Sequence, residues 1–175
     1  MNNLKDYIIN FVGLKEGVHA FEFVISSTFF EEMQSEEVLD LNLNLQLNLE
    51  KKTNLLILNF HFSGSFNTLC DRCGDDLSLF LDFSEIIFVK ISDDLNPEDD
   101  INVVTIKTGE SQINISDYIY ELIMVNLPFR RIHSDDKNGE SLCNQTTLEL
   151  LREKAITEKE IDPRWEALKN LKLDN

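Results

Sequence analysis

Residues 38–50 read VLDLNLNLQLNLE, in which apolar and polar positions alternate almost without a break. Leu39, Leu41, Leu43, Leu45, Leu47 and Leu49 fall on one side, and Asp40, Asn42, Asn44, Gln46, Asn48 and Glu50 on the other. A period of two predicts a strand with one wet face, the usual state of an antiparallel sheet. The polar run KKTN at 51–54 reads as a hairpin turn, and Leu56, Leu58, Phe60 and Phe62 carry the core face of the returning strand. Upstream, VHAFEFVI at 18–25 alternates with His19, Phe21, Phe23 and Ile25 on one side. Downstream, Leu77, Leu79, Leu81, Phe83, Ile87, Val89 and Ile91 continue the pattern, interrupted by Glu85. That run is long for one flat strand, so a bend or bulge is expected near Ser84 and Glu85. The tract SDDLNPEDD at 92–100 reads as an acidic loop and INVVTI at 101–106 as a further short strand.

The period then changes. Ile115, Ile119, Leu122 and Ile123 follow helical spacing, with Asn114 or Ser116 as the cap. Tyr118, Met124 and Val125 extend the apolar surface nearly all round, which predicts a mostly buried helix that Pro128 ends. HSDDKNGES at 133–141 reads as a loop, and Thr146 or Thr147 can cap a short helix through Lys154. A last helix is expected from Asp162 as cap and Pro163 at the first position, docking through Trp165, Leu168 and Leu171. Strands first and helices later define an α+β protein. The expected form is a mainly antiparallel, curled sheet in the first two-thirds, with helices in the C-terminal third. Without an internal repeat or a clear linker, residues 1–175 read as one domain, β-rich over 1–108 and helical over 109–175.

Composition narrows the class. With 42 % hydrophobic residues, twelve Phe and only six Gly and three Pro among 175 residues, the chain suits a folded core and not a disordered segment. No run approaches the roughly 18 to 20 apolar residues of a membrane span, and MNNLKDYIINFVGLKEG does not resemble a secretory signal. Three cysteines fit no disulfide framework, and a reducing cytoplasm is the simplest home. The formal charge of −16 repels polyanions and attracts basic partners, although it also serves solubility alone. Naked duplex nucleic acid is therefore a poor partner.

Chemistry concentrates at Cys70-Asp-Arg-Cys73-Gly. Two Cys three residues apart can grip zinc from one turn, and Gly74 suits the positive φ that such turns require. The remaining ligand candidates are Cys143, His133, His61 and His19. His61 shares a strand face with Asn59, away from the core, and His19 lies among core aromatics. His133 and Cys143 flank a single loop, so the set Cys70, Cys73, His133 and Cys143 is the expected one, with a reduced and empty thiol cluster as its alternative. A thioredoxin-like role fits less well, because the pair lies between strands and lacks a helix N-terminus to lower a thiol pKa.

Cys70-x-Arg72-Cys73 after a β-rich half, an apolar helix ending in Leu127-Pro128, a loop with a further cysteine, and Asp162-Pro163-Arg164-x-x-x-Leu168 together resemble the large ribosomal RNA subunit accumulation proteins, the YceD-like family. The resemblance spans nearly the whole chain. It implies a non-enzymatic factor supporting synthesis, processing or stability of 23S ribosomal RNA, and so large-subunit assembly. It also implies metal and nucleic-acid binding, with a second Cys-x-x-Cys where this chain has Cys143 and Thr146. Thr146 thus replaces the family's fourth sulfur, and His133 is the expected substitute.

Two functions from different classes follow. In the first, the protein contacts RNA through Arg130 and Arg131 beside Phe129, Lys137, Arg72, and Arg164 beside Trp165, since Arg forks fit phosphate and aromatic rings stack bases. In the second, Asp93, Asp94, Glu98, Asp99 and Asp100 help an acidic chaperone hold a basic large-subunit ribosomal protein. A small-molecule enzyme is not indicated: there is no phosphate-cradling Gly loop, nucleophile elbow or HExxH.

Overall fold

The structure, a computed structural model, describes residues 4–34, 40–93 and 103–156. The chain forms two compact units, Met1–Leu69 with Asp76–Arg131, and Cys70–Asp75 with Ile132–Asn175. In chain order the first unit holds a 3-10 turn (Leu4–Tyr7), β1 (Ile8–Ile9), β2 (Gly17–Ser26), α1 (Ser27–Glu32), β3 (Asp40–Lys51), β4 (Leu55–Leu69), β5 (Asp76–Ile91), β6 (Val103–Ile106), β7 (Ile113–Asn114) and α2 (Ser116–Asn126). The second holds the Cys70–Asp75 turn, a loop and α3 (Gln145–Ile156).

The main sheet has the order β2-β3-β4-β5-β6, and β1 and β7 make a separate two-stranded ladder. Alternation of side chains carries the core as expected. Leu41, Leu43, Leu45, Leu47 and Leu49 of β3 are buried, as are Leu56, Leu58, Phe60 and Phe62 of β4. Each fully buried Leu or Phe side chain contributes about 1.5–3 kcal/mol of transfer free energy. His19, Phe21, Phe23 and Ile25 lie on the inner side of β2, and the imidazole of His19 bonds the Lys15 carbonyl at 2.8 Å. The outer side of β3 keeps its amides in water. Ile115, Ile119 and Ile123 bring α2 into the same core.

Several local expectations give way to tertiary packing. No bulge interrupts β5: its register with β4 runs unbroken from Leu55↔Lys90 to Leu69↔Asp76, through Phe60↔Glu85. Glu85 stays on the inner side because Asn126 Nδ2 at the end of α2 donates to Oε1 at 3.3 Å, so its carboxylate has a partner. β6 runs parallel to β5, which makes the sheet mixed at one edge. The α2 helix is buried on one side only, with Val125 82 % exposed. Asn114 Oδ1 does accept the Ser116 N–H at 3.0 Å, although the helix itself begins after Ile115.

Two stretches that pack the core, α1 and the far half of β4, carry no clear periodic signal. The six-residue α1 puts adjacent Phe29 and Phe30 into the core, where Tyr7 meets Phe29 edge-on at 5.2 Å. β4 also continues past Phe62 to Leu69, a stretch whose alternation is hidden by Ser63, Gly64 and Ser65. Lys51, read as part of the turn, instead ends β3 and donates to the carbonyls of Phe11 and Leu14 at 2.9 and 2.8 Å. The final helix from Asp162 and the acidic residues 94–100 lie outside the described residues.

Gly64 is required by close approach. A Cβ there would collide with the Asn42 carbonyl oxygen and lie 2.9 Å from Leu43 Cα, both backbone atoms of β3. Backbone in a central strand cannot give way as a side-chain tip can. Gly64→Ala is therefore expected to destabilise the fold by about 1–3 kcal/mol. Urea unfolding measures it, and an unchanged midpoint would contradict the close approach.

Candidate metal centre

The Cys70–Asp75 turn joins β4 to β5 and belongs to the second unit. Cys70 N–H donates to the Asp75 carbonyl at 2.8 Å, and Gly74 N–H returns to the Cys70 carbonyl at 2.9 Å. Gly74 takes φ 77°, the left-handed region that its lack of a Cβ permits. The chain thus curls tightly enough to aim both thiols the same way.

The loop after His133 supplies the other pair. Asp136 N–H donates to the Glu140 carbonyl at 2.7 Å, and Gly139 N–H donates to the Asp136 carbonyl at 3.1 Å. The Asp136 carboxylate accepts the N–H groups of Asn138 and Glu140, both at 2.8 Å. These backbone donors hold that carboxyl below the usual carboxylate range. With Asp135 bridged to Ser141 and Leu142 N–H bonded to the Ser134 carbonyl at 3.2 Å, the loop is a small hairpin. Its two ends are His133 and Cys143, which explains how residues ten apart in sequence meet.

All four expected residues converge. One ligand atom from each of Cys70, Cys73, His133 and Cys143 lies within 4.8 Å of every other. Cys70 Sγ is 3.7 Å from Cys143 Sγ, and Cys73 Sγ is 3.5 Å from His133 Nδ1. The three thiols are buried and free, and the histidine is half-buried. Burial pushes the Cys70 thiol up, but backbone N–H groups of Cys73, Arg72 and His133 stabilise the thiolate and bring its pKa from 9.0 to about 6. A low thiol pKa provides the deprotonated sulfur that a metal needs. The arrangement is a Cys3His cluster whose geometry is compatible with one metal ion. His61 takes no part: on the outer side of β4 it bonds Ser84 Oγ at 3.0 Å.

Surrounding contacts revise two sequence assignments. Arg72 reaches Ser141 Oγ at 3.0 Å, the same hydroxyl that accepts Cys143 N–H at 3.3 Å. Asn144 Nδ2 likewise donates to Asp75 Oδ2 at 3.1 Å. Arg72 therefore braces the turn against the Cys143 segment, a role that spacing alone does not reveal. The cap of α3 is Asn144, whose Oδ1 accepts Thr147 N–H at 3.3 Å, and neither Thr146 nor Thr147 is the cap. Thr146 consequently sits inside the first helical turn and is exposed.

The other cations are dispersed in role. In the first unit Arg131 is half-buried, with its guanidinium 5.4 Å from the centre of the Phe66 ring and Nε donating to the Pro128 carbonyl at 3.4 Å. Arg130 is exposed beside the fully exposed Phe129. Lys137, in the second unit, is exposed on the loop. Arg164 lies outside the described residues.

Fold and cluster together define an α+β protein with a Cys-x-x-Cys turn set between two long strands and completed by a Cys/His hairpin. A family model described as large ribosomal RNA subunit accumulation protein YceD matches residues 58–172, about two-thirds of the chain, and the protein belongs to that family. Comparisons with curated proteins and with solved structures found no match. Among the described residues no helix is long and apolar enough to cross a membrane.

The Cys70 environment predicts a pH dependence of the metal-free protein. Its folded pKa is depressed, so its contribution to stability is complete above the unfolded value of 9.0 and is lost as pH falls through about 6. Thiolate absorbance should show one cysteine titrating near pH 6, a step that disappears in Cys70→Ser. Absence of any thiolate step near pH 6 would contradict the bonding pattern.

Proposed function

We propose that this protein is a non-enzymatic cytoplasmic factor supporting 23S ribosomal RNA accumulation and large-subunit assembly. We further propose that Cys70, Cys73, His133 and Cys143 hold a zinc ion. The observation that carries the functional reading is the family match, which runs from β4 through the cysteine turn and past Cys143. The chain is taken as one functional domain because the Cys70–Asp75 segment of the second unit is threaded between β4 and β5 of the first.

Distances support zinc. Bond lengths of about 2.3 Å to sulfur and about 2.0 Å to nitrogen give tetrahedral edges of about 3.8 Å between sulfurs and about 3.5 Å between sulfur and nitrogen. Cys70 and Cys143 at 3.7 Å, and Cys73 and His133 at 3.5 Å, already match such edges. With four protein ligands the shell is closed, so a bound ion contributes folding energy and has no open position for catalysis. The loop that His133 and Cys143 end is otherwise held by turn hydrogen bonds, which makes the metal the natural staple of the second unit.

For RNA, the reading rests on Arg130 with Phe129 and on Lys137, which are exposed and suited to phosphate and base contact. Arg72 and Arg131 have intramolecular partners and would join only by exchanging them, and Arg164 completes the proposed set. Those commitments, with the net charge of −16, favour a second reading: an acidic chaperone for a basic large-subunit ribosomal protein, without direct RNA contact.

Protein purified without chelator is expected to carry about one zinc per chain by elemental analysis. His133→Ala and Cys143→Ser should each lower that content, and chelation should expose α3 to proteolysis. Zinc near zero with unaltered folding after chelation would remove the metal from this reading. Replacing Arg130 and Arg131 together by Ala should weaken RNA binding and flatten its salt dependence. Crosslinking in cells decides between the readings: a basic ribosomal protein retained after ribonuclease treatment favours the chaperone.

A further inference from the structure

The ladder between β4 and β5 leaves a consequence at its other edge. Ile91 N–H donates to the Asn54 carbonyl at 3.0 Å, which makes 91 and 54 a hydrogen-bonded pair. Such pairs recur at every second residue of an antiparallel ladder. Odd-numbered residues of β5 therefore bond to β4, and even-numbered residues turn their N–H and C=O groups the opposite way. Ser92 N–H meets the Ile106 carbonyl at 3.0 Å, as that parity requires. The β6 strand, however, pairs only with Phe88–Ile91. Ser78, Phe80, Asp82, Ser84 and Ile86 thus present their backbone groups at an edge that no strand among the described residues covers.

Two clefts lie along this edge, both within the first unit. One of about 380 Å³ runs along Leu79–Phe83, with Asn126, Pro128 and Arg130 as its other lining. The other, about 330 Å³, runs along Glu85–Ile87, with Tyr118, Leu122 and Val125 among its lining. Apolar side chains remain in water beside them: Phe80 is 72 % exposed, Ile86 45 % and Val125 82 %. A long open edge is normally blunted by Pro, charged side chains or a bulge. Residues 78–86 contain no Pro or Lys and the ladder has no bulge, and the charges present, Asp82 and the inward Glu85, are acidic and repel like strands but not a basic one.

We propose that the open edge of β5 from Ser78 to Ile86 accepts an extended, basic segment of a partner protein as an added strand. Main-chain bonds would hold it, and the two clefts would receive its alternate side chains. Charge selects this occupant. Asp82, Glu85 and Glu121 line the clefts against the single guanidinium of Arg130, in a chain of net charge −16. A second copy is disfavoured, because symmetric antiparallel pairing about the middle of the edge sets Asp82 against its own equivalent. The inference gives a place and a chemistry to the basic partner of the chaperone reading. Its test needs no metal chelation and uses RNA only as a competing ligand, so either idea can fail alone.

The experiment titrates the full chain into a labelled nine-residue peptide of alternating lysine and valine, and follows amide exchange by NMR. Expected are salt-sensitive binding and new protection of the amides of Phe80, Asp82, Ser84 and Ile86, while odd-numbered β5 amides are already slow without peptide. Ser84→Pro removes one outward donor without cutting the backbone bonds to β4, although it also removes the hydroxyl that bonds His61, and should weaken binding at least about tenfold. Asp82→Lys, which leaves the backbone intact, should weaken it several-fold and keeps the test valid if the proline variant fails to fold. Absence of binding, equal binding of a glutamate–valine peptide, or unchanged even-numbered amides overturns the proposal. So does protection of those amides by dimerisation alone or by an oligouridine RNA.

Discussion

The antiparallel pairing of β4 with β5 is the constraint on which the remaining structure depends. It holds one register from Leu55↔Lys90 to Leu69↔Asp76, and that constancy has three effects at once. It keeps the even positions of β4 and the odd positions of β5 on the inner side over the full length of the strands. It brings the chain back on itself at the cysteine turn, where Cys70 N–H and the Asp75 carbonyl continue the same pairing. It also decides which backbone groups of β5 face away from β4. A one-residue slip would reverse the sides of every residue in β5, placing Leu77, Leu81 and Val89 in water. Glu85 shows how strongly the register is held: the strand keeps a carboxylate on its inner side and satisfies it with Asn126 sooner than bulge around it.

The cysteine cluster illustrates a different kind of determination. Its four residues are contributed by two short turns whose own hydrogen bonds are complete without a metal. The Cys70–Asp75 turn closes through two backbone bonds and a left-handed Gly74. The 133–143 hairpin closes through Asp136 and Gly139. Arg72 and Asn144 then tie one turn to the other through Ser141 and Asp75. Preformed ligand positions lower the ordering cost of binding an ion, and the thiolate character of Cys70 removes part of the proton cost. Thr146 is carried into α3 by the Asn144 cap, and His133, at the opposite end of the hairpin, stands within reach of Cys73.

Charge and function are linked by the same reasoning. Two of the arginines that a sequence reading offers to RNA are engaged within the protein, Arg131 over Phe66 and Arg72 on Ser141. What remains exposed around β5 is mostly apolar and acidic, with Arg130 the one cation among the described residues lining its clefts. A large excess of carboxylates over cations makes contact with a basic polypeptide less costly than contact with phosphate.

Legibility in the sequence followed periodicity. The strict alternation of β3, the apolar run of β5 and the 3.6-residue spacing of α2 specify their elements locally, because burying one side of a strand or helix dominates other terms. The convergence of Cys70, Cys73, His133 and Cys143 was also readable, since cysteine and histidine are few and only one loop joins a His to a Cys. Elements without a repeat were not: α1 rests on Phe29 and Phe30 entering the core, and the far half of β4 is masked by Ser63, Gly64 and Ser65. The sequence alone therefore determined the α+β class, the sides of the long strands and the residues able to hold a metal. Tertiary structure decided the unbroken register at Glu85, the parallel β6, the tasks of Arg72 and Arg131, and the edge of β5 that no strand among the described residues covers. Each of these depends on groups far apart in the chain meeting across a ladder, turn or core, and one-dimensional spacing carries no information about that.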